Sequence, residues 1–435
     1  MKQVISKILQ SMLYWLAKLV LWRQQPEIIG ITGSVGKTST KTAIAAVLSN
    51  YYSVRMSSFN YNNELGVPLT IIGSKAGGKN PLRWLGVIMR GLVYGLLPLT
   101  YPKILILEMG ADHPGDIKYL TQLAPARIGM VTCIGDQPAH LAFFKDVDQL
   151  AQEKLIMLKH LTKNNWAILN LDEPYVQDVV PKLKCRTLSF SLKAEPADLQ
   201  ALDIDYSVWP KTNTSHVVSG LRFKLRYQGN TVPCFVPNVV GLPAVYAAMF
   251  AIAVGLVYEL NFVDMTKALQ SYQAPPGRLC LISGINNTLI LDDTYNASPA
   301  AMREALNVLA QLTTTGKKIA CLGNMEELGS QSKRAHTLIG KRVAELKIDY
   351  LFTLGDKAES IAIAALDAGL PATAIAICKT PAELISKLTN ILAPQDIVLM
   401  KGSQAMRLEK IAQALMEHPE QATKLLARQY GSWTK

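Results

Sequence analysis

Gly30-Ile31-Thr32-Gly33-Ser34-Val35-Gly36-Lys37-Thr38-Ser39 lies between a short apolar run, Ile28 to Thr32, and a stretch from Thr38 to Leu48 that reads as a helix. Strand, glycine-rich turn and helix in that order make a phosphate-binding loop. Its glycines let backbone N–H groups converge on phosphate oxygens, and the helix N-terminus adds the positive end of its dipole. Gly33, Ser34, Val35, Gly36, Lys37, Thr38 and Ser39 therefore form a candidate nucleotide cradle. Lys37 would neutralise the β- and γ-phosphates of ATP and the Thr38 hydroxyl would ligate Mg²⁺. The strict form of the motif has glycine at position 31, where isoleucine stands, and the glycines here are at 30, 33 and 36. The plain alternative, a ligand-free glycine turn, is disfavoured by the complete strand–loop–helix context.

Outward from the loop, Ile104 to Glu108, Ile128 to Thr132 and Trp166 to Asn170 are further short apolar runs with helical segments between them. That alternation predicts a mostly parallel, doubly wound α/β sheet covered on both faces. Residues 185–237 are more polar, with a turn at Gln228-Gly229-Asn230, and predict a small antiparallel β annex; Leu242 to Leu256 reads as an Ala-rich helix. The proline pair in Ala274-Pro275-Pro276-Gly277-Arg278 marks a linker. Beyond it, Leu289 to Asp293, Lys318 to Gly323, Tyr350 to Gly355, Ala374 to Cys378 and Ile397 to Lys401 alternate with helices as a second, Rossmann-like α/β domain. The expected organisation is an N-terminal helix over 1–25, a nucleotide-binding domain over 26–273 and a C-terminal domain over 274–435.

Composition is consistent with this. The 435 residues are 49% hydrophobic and 18% charged, which excludes a disordered, collagenous or disulfide-scaffold chain. The six cysteines are scattered singly, with no metal-knuckle spacing, as expected of thiols in a reducing cytosol. The net charge of +12 suggests an anionic partner without choosing among nucleotide, nucleic acid and acidic membrane. No basic-aromatic recognition segment argues for nucleic acid.

Val4 to Leu21 is apolar on one broad helical face, with Lys7, Gln10, Ser11, Tyr14 and Lys18 on the other. Lys7 and Lys18 interrupt it too often for a membrane span, and no cleavage site follows. Pro81 to Leu99 is a second apolar segment, carrying Arg83 and Arg90. The pair reads either as peripheral contact with anionic lipid at the inner membrane face or as two helices packed on each other.

Glu108 ends an apolar strand, where a parallel sheet opens its ligand crevice, and would hold Mg²⁺ with Thr38; the alternative is a glutamate capping the next helix. Arg278, just past the linker, could bind phosphate oxygens bidentately when domains close. Asp293 and Asn296 could hydrogen-bond the nucleotide ribose or base, or Asp292 and Asp293 could merely cap the helix that begins near Pro299.

The loop, with its displaced glycines, resembles that of the Mur ligase family, ATP-dependent amide ligases of cell-wall peptide synthesis. Asn60-Tyr61-Asn62-Asn63-Glu64-Leu65-Gly66-Val67-Pro68, Glu108-Met109-Gly110-Ala111-Asp112, Asp292-Asp293-Thr294-Tyr295-Asn296-Ala297-Ser298-Pro299, Leu322 to Gly329 and Lys401-Gly402-Ser403 are similar, in order, to segments of the member that adds D-alanyl-D-alanine. The resemblance covers about residues 26 to 415. It implies that His140 and Lys154 are metal ligands, Lys154 as a carbamate formed with CO₂, so that ATP and two Mg²⁺ ions are bound. It also implies that Asn62, Asn63, His336, Lys401 and Ser403 line substrate pockets. The implied reaction phosphorylates the carboxylate of UDP-N-acetylmuramoyl-tripeptide and couples it to D-alanyl-D-alanine, in a cytoplasmic monomer.

Two departures stand out. The phosphate loop starts by residue 30, leaving no room in this sequence for the UDP-gripping N-terminal domain of that member, so a lipid-linked acceptor is the alternative. The helix that contacts adenine in the family has asparagines where Ala244 and Ala247 stand here, which implies looser base recognition. A reading of a different class, a phosphate-loop NTPase that ligates nothing and binds membrane or nucleic acid, leaves Glu108, His140 and Lys154 without a purpose.

Overall fold

A computed structural model of the chain describes residues 2–58, 61–135, 143–193, 196–207 and 220–429. It divides into two compact units, one of residues 1–202, 224–234 and 245–272 and one of 203–223, 235–244 and 273–435.

In chain order the first sheet is made of β1 (Glu27–Thr32), β2 (Val54–Met56), β3 (Ile104–Glu108), β4 (Ile128–Val131), β5 (Trp166–Asn170), β6 (Arg186–Ser191), β7 (Leu199–Ser207), β8 (Gly220–Tyr227) and β9 (Asn230–Pro237). Its spatial order is β2-β3-β1-β4-β5-β6-β7-β8-β9. The strands around the phosphate loop are parallel. Ile31 of β1 lies level with Glu108 of β3 on one side and Met130 of β4 on the other, so the three strands end together. The β-rich stretch continues from the first sheet: β6 pairs parallel with β5 and with β7, and β8 and β9 follow in the same strand order. β8 and β9 form a hairpin at the expected turn, joined through Gln228 and Gly229, both at positive φ, the backbone a two-residue turn of primed type demands.

The helices of the first unit include α1 (Lys2–Gln24), α2 (Lys37–Leu48), α3 (Gly66–Ile72), α4 (Pro81–Leu96), α5 (Asp116–Leu123) and α6 (Val147–Lys159). α4 begins at an Asn80 cap whose side chain accepts from the N–H groups of Leu82 and Arg83. It stops at Leu96 rather than running to Leu99, because Leu97 precedes Pro98 and is held extended. α1 and α4 pack on each other, with Leu13, Leu16, Leu69, Ile72 and Val87 buried between them and α3. Among the described residues no helix is long and apolar enough to cross a membrane.

The second unit holds β10 (Cys280–Gly284), β11 (Thr288–Asp292), β12 (Lys318–Gly323), β13 (Tyr350–Leu354), β14 (Ile375–Cys378) and β15 (Ile397–Lys401). They are ordered β10-β11-β15-β12-β13-β14, parallel except for the edge strand β10, which sequence reading did not foresee. Apolar clusters cover both faces, as the near-continuous apolar runs require. One face carries the helices Ser332–Glu345 and Glu359–Asp367, which pack closely at Gly340. A Cβ there would stand 2.1 Å from the Ile361 carbonyl oxygen, a backbone atom that cannot swing aside. Gly340→Ala is therefore expected to lower stability by about 1–3 kcal/mol, read as a lower urea midpoint for the second unit, whereas an unchanged midpoint would show that the helices part freely.

Candidate nucleotide and metal site

β1 delivers the chain into the loop, and Gly33 turns it at φ 141°. A Cβ on Gly33 would fall 2.1 Å from Thr132 Oγ1, so only glycine fits between β1 and β4. Thr132 Oγ1 in turn donates to the Val35 carbonyl at 2.6 Å, and Ser34 N–H donates to the Cys133 carbonyl at 2.7 Å. The loop is thus moulded on the end of β4. Gly36, at φ 91°, precedes the first residue of α2. Lys37 Nζ folds back to donate to the Gly33 carbonyl at 2.7 Å. The Thr32 and Ser34 hydroxyls are buried with no hydrogen-bond partner. Unsatisfied donors at a helix N-terminus, beside a lysine resting on a loop carbonyl, fit an oxyanion ligand such as the phosphates of ATP. Ser39 lies in the first turn of the same helix.

Thr38 and Glu108 come together as their positions on α2 and β3 imply: Thr38 Oγ1 lies 3.1 and 3.3 Å from the two carboxylate oxygens. These hard oxygens suit Mg²⁺. A third member was not anticipated. Lys41 is buried, with Nζ 3.1 Å from Glu108 Oε2 and 3.3 Å from Ser57 Oγ. Its signal in the sequence was a lysine on the same helical face as Ile44 and Leu48, where an unpaired charge is not tolerated. Burial alone would raise the Glu108 carboxyl; the Lys41 and Lys37 ammonium groups and the hydrogen bonds outweigh it and hold the pKa below the ordinary glutamate value.

Lys154 sits on α6, whose start is capped by Asp146 accepting from Gln149 N–H. It is buried and donates to the Gly33 carbonyl at 3.3 Å, so it reaches the same loop. Burial, reinforced by nearby Lys37 and opposed by Asp112 and Glu153, brings its pKa down to about 7. Its neighbour Glu153 accepts from Gly115 and Ile117 N–H groups and fixes the start of α5. His140 lies outside the described residues. Asn62 offers its backbone carbonyl to Gly110 N–H at 2.7 Å, and Asn63 Oδ1 takes the Gly66 N–H at 2.9 Å, which starts α3.

In the second unit the residues expected to meet nucleotide or substrate are mostly engaged with one another. Lys401 Nζ contacts Asp293 Oδ2 at 2.6 Å and donates to the Asn296 carbonyl at 2.9 Å. The Arg278 guanidinium stacks over the Tyr295 ring at 4.2 Å. His336, expected in a substrate pocket, is engaged within its own unit. Its ring is buried, Nε2 accepts from Met325 N–H at 3.0 Å, and Nδ1 pairs with the Ser332 carbonyl at 2.7 Å, so both nitrogens are used. Ser403 Oγ likewise accepts from Glu326 N–H at 2.8 Å. His336 and Ser403 together hold the turn that follows β12. Ala244 and Ala247 are buried on the helix Leu242–Val257, so they pack as core residues.

Replacing Lys41 would leave a buried carboxylate without its cation. Lys41→Met is expected to lower stability by about 3–5 kcal/mol at neutral pH. Because the Glu108 pKa is depressed on folding, its stabilisation is present above about pH 4.5 and is lost as pH falls through the lower folded value. Urea midpoints measured across that range should show a weaker acid-side decline in the variant; equal midpoints at neutral pH would dismiss the pair as structurally idle.

Residues 31–79 and 96–255 match the Mur ligase middle domain, and residues 277–404 match the Mur ligase glutamate ligase domain. The chain is 30% identical, over 404 residues, to the UDP-N-acetylmuramoyl-tripeptide–D-alanyl-D-alanine ligase of Bacillus subtilis, covering 93% of this chain and 79% of that one. It is also 30% identical, over 414 residues, to the ligase of the same name from Escherichia coli K12, with 92% and 80% covered. Among solved structures, MurF of Thermotoga maritima in complex with ADP superposes with a TM-score of 0.75 at 26% identity, covering 95% of this chain and 84% of that one. MurF of Acinetobacter baumannii gives 0.74 at 27%, with 93% and 80% covered. A pseudomurein peptide ligase from Methanothermus fervidus shares the fold at 14% identity. With both of its domains matched and the loop, carboxylate and buried lysine in place, the chain belongs to the Mur ligase family.

Proposed function

We propose that the chain is an ATP-dependent, ADP-forming ligase that joins D-alanyl-D-alanine to UDP-N-acetylmuramoyl-tripeptide in the synthesis of peptidoglycan precursors. The observation that carries this reading is the convergence of Thr38, Glu108 and Lys41 at the mouth of the phosphate loop, in a chain similar along nearly its whole length to ligases of that name. A carboxylate is a poor electrophile. Its oxygen attacks the γ-phosphorus of ATP and ADP departs, giving an acyl phosphate. The free amine of the dipeptide then attacks the acyl carbon, phosphate leaves, and the nitrogen gives up a proton. Such chemistry asks of the protein mainly positioning and neutralised charge.

Lys37 exchanges its loop carbonyl for phosphate oxygens, and the N–H groups opening α2 hold the same oxygens. Thr38 and Glu108 would hold Mg²⁺, which supplies charge neutralisation at the phosphates when bound. Lys154, buried and brought near neutrality, is suited to react with CO₂: the amine nitrogen bonds to carbon, a proton leaves, and an anionic oxygen donor replaces an ammonium. His140 is proposed as a further ligand from the family resemblance.

Incubation with ATP, Mg²⁺, UDP-N-acetylmuramoyl-tripeptide and D-alanyl-D-alanine should yield the pentapeptide by mass spectrometry, with phosphate release that requires the dipeptide. Release indifferent to the dipeptide would reduce the protein to an ATPase. Lys37→Ala and Glu108→Gln should each lower kcat on the order of 100-fold. Removing CO₂ should lower the rate and bicarbonate should restore it, with a matching ¹³C carbamate signal absent from Lys154→Ala; a rate indifferent to bicarbonate would leave Lys154 as a plain amine.

A further inference from the structure

We propose that the outer face of the α1–α4 pair is a docking surface for an anionic lipid bilayer, on which the two helices lie in the plane of the headgroups. The proposal does not depend on the acceptor assigned above. The helices run side by side in the same direction: a Cβ on Gly91 would lie 3.5 Å from Leu16, and one on Gly95 would meet Leu19 at 2.7 Å. Glycine at those two positions lets the backbones approach closely, and the inner faces are buried against α3 and the sheet.

At about 100° per residue, the positions opposite the buried ones form two outward stripes. On α1 they are Ile8, Trp15 and Trp22, seven residues apart. On α4 they are Leu82, Leu85, Met89 and Leu96. All are exposed, Trp22 by 72% and Leu82 by 75%. Because the helices are parallel and share one floor, the stripes lie next to each other as a single apolar strip. Large apolar side chains exposed side by side and bordered by cations mark an interaction surface.

Charge identifies the partner. Residues 1–26 and 65–107 contain no Asp or Glu, yet they hold nine of the chain's Lys and Arg residues. Lys7 borders the α1 stripe, and Arg83 and Arg90 border that of α4. A symmetric contact between two copies of this face would bring like charges together with no acid to pair them. Anionic headgroups satisfy the cations while the acyl boundary takes the apolar strip, and exposed indoles suit that boundary. Since neither helix can cross a bilayer, binding is in-plane.

The test is flotation of the full chain with vesicles of phosphatidylcholine alone or of equal parts phosphatidylcholine and phosphatidylglycerol. The expected result is flotation with the mixed vesicles only, weakened by salt, with quenching of tryptophan emission by brominated lipid. Trp15→Ser/Trp22→Ser/Leu82→Ser should abolish it, and Arg83→Gln/Arg90→Gln should lower partitioning roughly tenfold or more at low salt. Circular dichroism melts confirm that the variants fold; should one not fold, quenching of the unaltered chain decides. Absence of flotation and quenching, equal flotation of a folded triple variant, or a dimer that the triple substitution dissolves while the unaltered chain ignores vesicles, would each overturn the proposal.

Discussion

Burying a carboxylate at the end of a parallel strand is unfavourable unless a cation accompanies it, and that constraint organises the first unit. Glu108 closes β3 level with Ile31 of β1, so its side chain emerges beside the phosphate loop. Lys41 meets it from α2, Thr38 donates to it from one turn earlier, and Ser57 steadies both the lysine and the Glu108 N–H. The helix that opens at the phosphate loop is thereby tied to the strand that ends in the Glu108 carboxylate. Gly33 and Thr132 complete the arrangement by leaving no room for a side chain at the bend.

The second unit repeats the logic with different members. Asp293 follows β11, is buried, and is met by Lys401 from the end of β15, its parallel neighbour. Burial pushes the Asp293 carboxyl up and the Lys401 ammonium opposes it. The adjacent Asp292 is fully buried and lifted to about 6 by desolvation, with one oxygen accepting from Thr294 N–H. These are groups held ready at strand ends, where α/β sheets place their ligands.

What could be read from the sequence was whatever is local. Short apolar runs separated by helical periods located β1, β3, β4 and β5 and most of the second sheet, and glycine spacing located the loop. Partners set by tertiary packing could not be read. Lys41 sits four residues beyond Lys37, yet only the fold shows that it faces Glu108 rather than solvent. The hydrogen bonds of His336 and Ser403 with the Met325 and Glu326 N–H groups depend on a turn that no spacing predicts. The polar strands β6 to β9 were legible as a β-rich stretch because alternation reports a half-exposed surface; their place at one side of the first sheet was not.

Arg428 illustrates how far along the chain a strand-end loop can be governed. Its guanidinium donates to the Thr294 carbonyl at 2.5 Å and the Tyr295 carbonyl at 2.8 Å, while Glu409 holds it from the other side at 2.7 Å. The segment from Asp293 to Asn296 is therefore shaped by a side chain more than a hundred positions downstream. Trimming by a protease, a frameshift late in the reading frame, or a rigid fusion abutting that arginine would be felt at Asp293 and Lys401, though every strand remained intact.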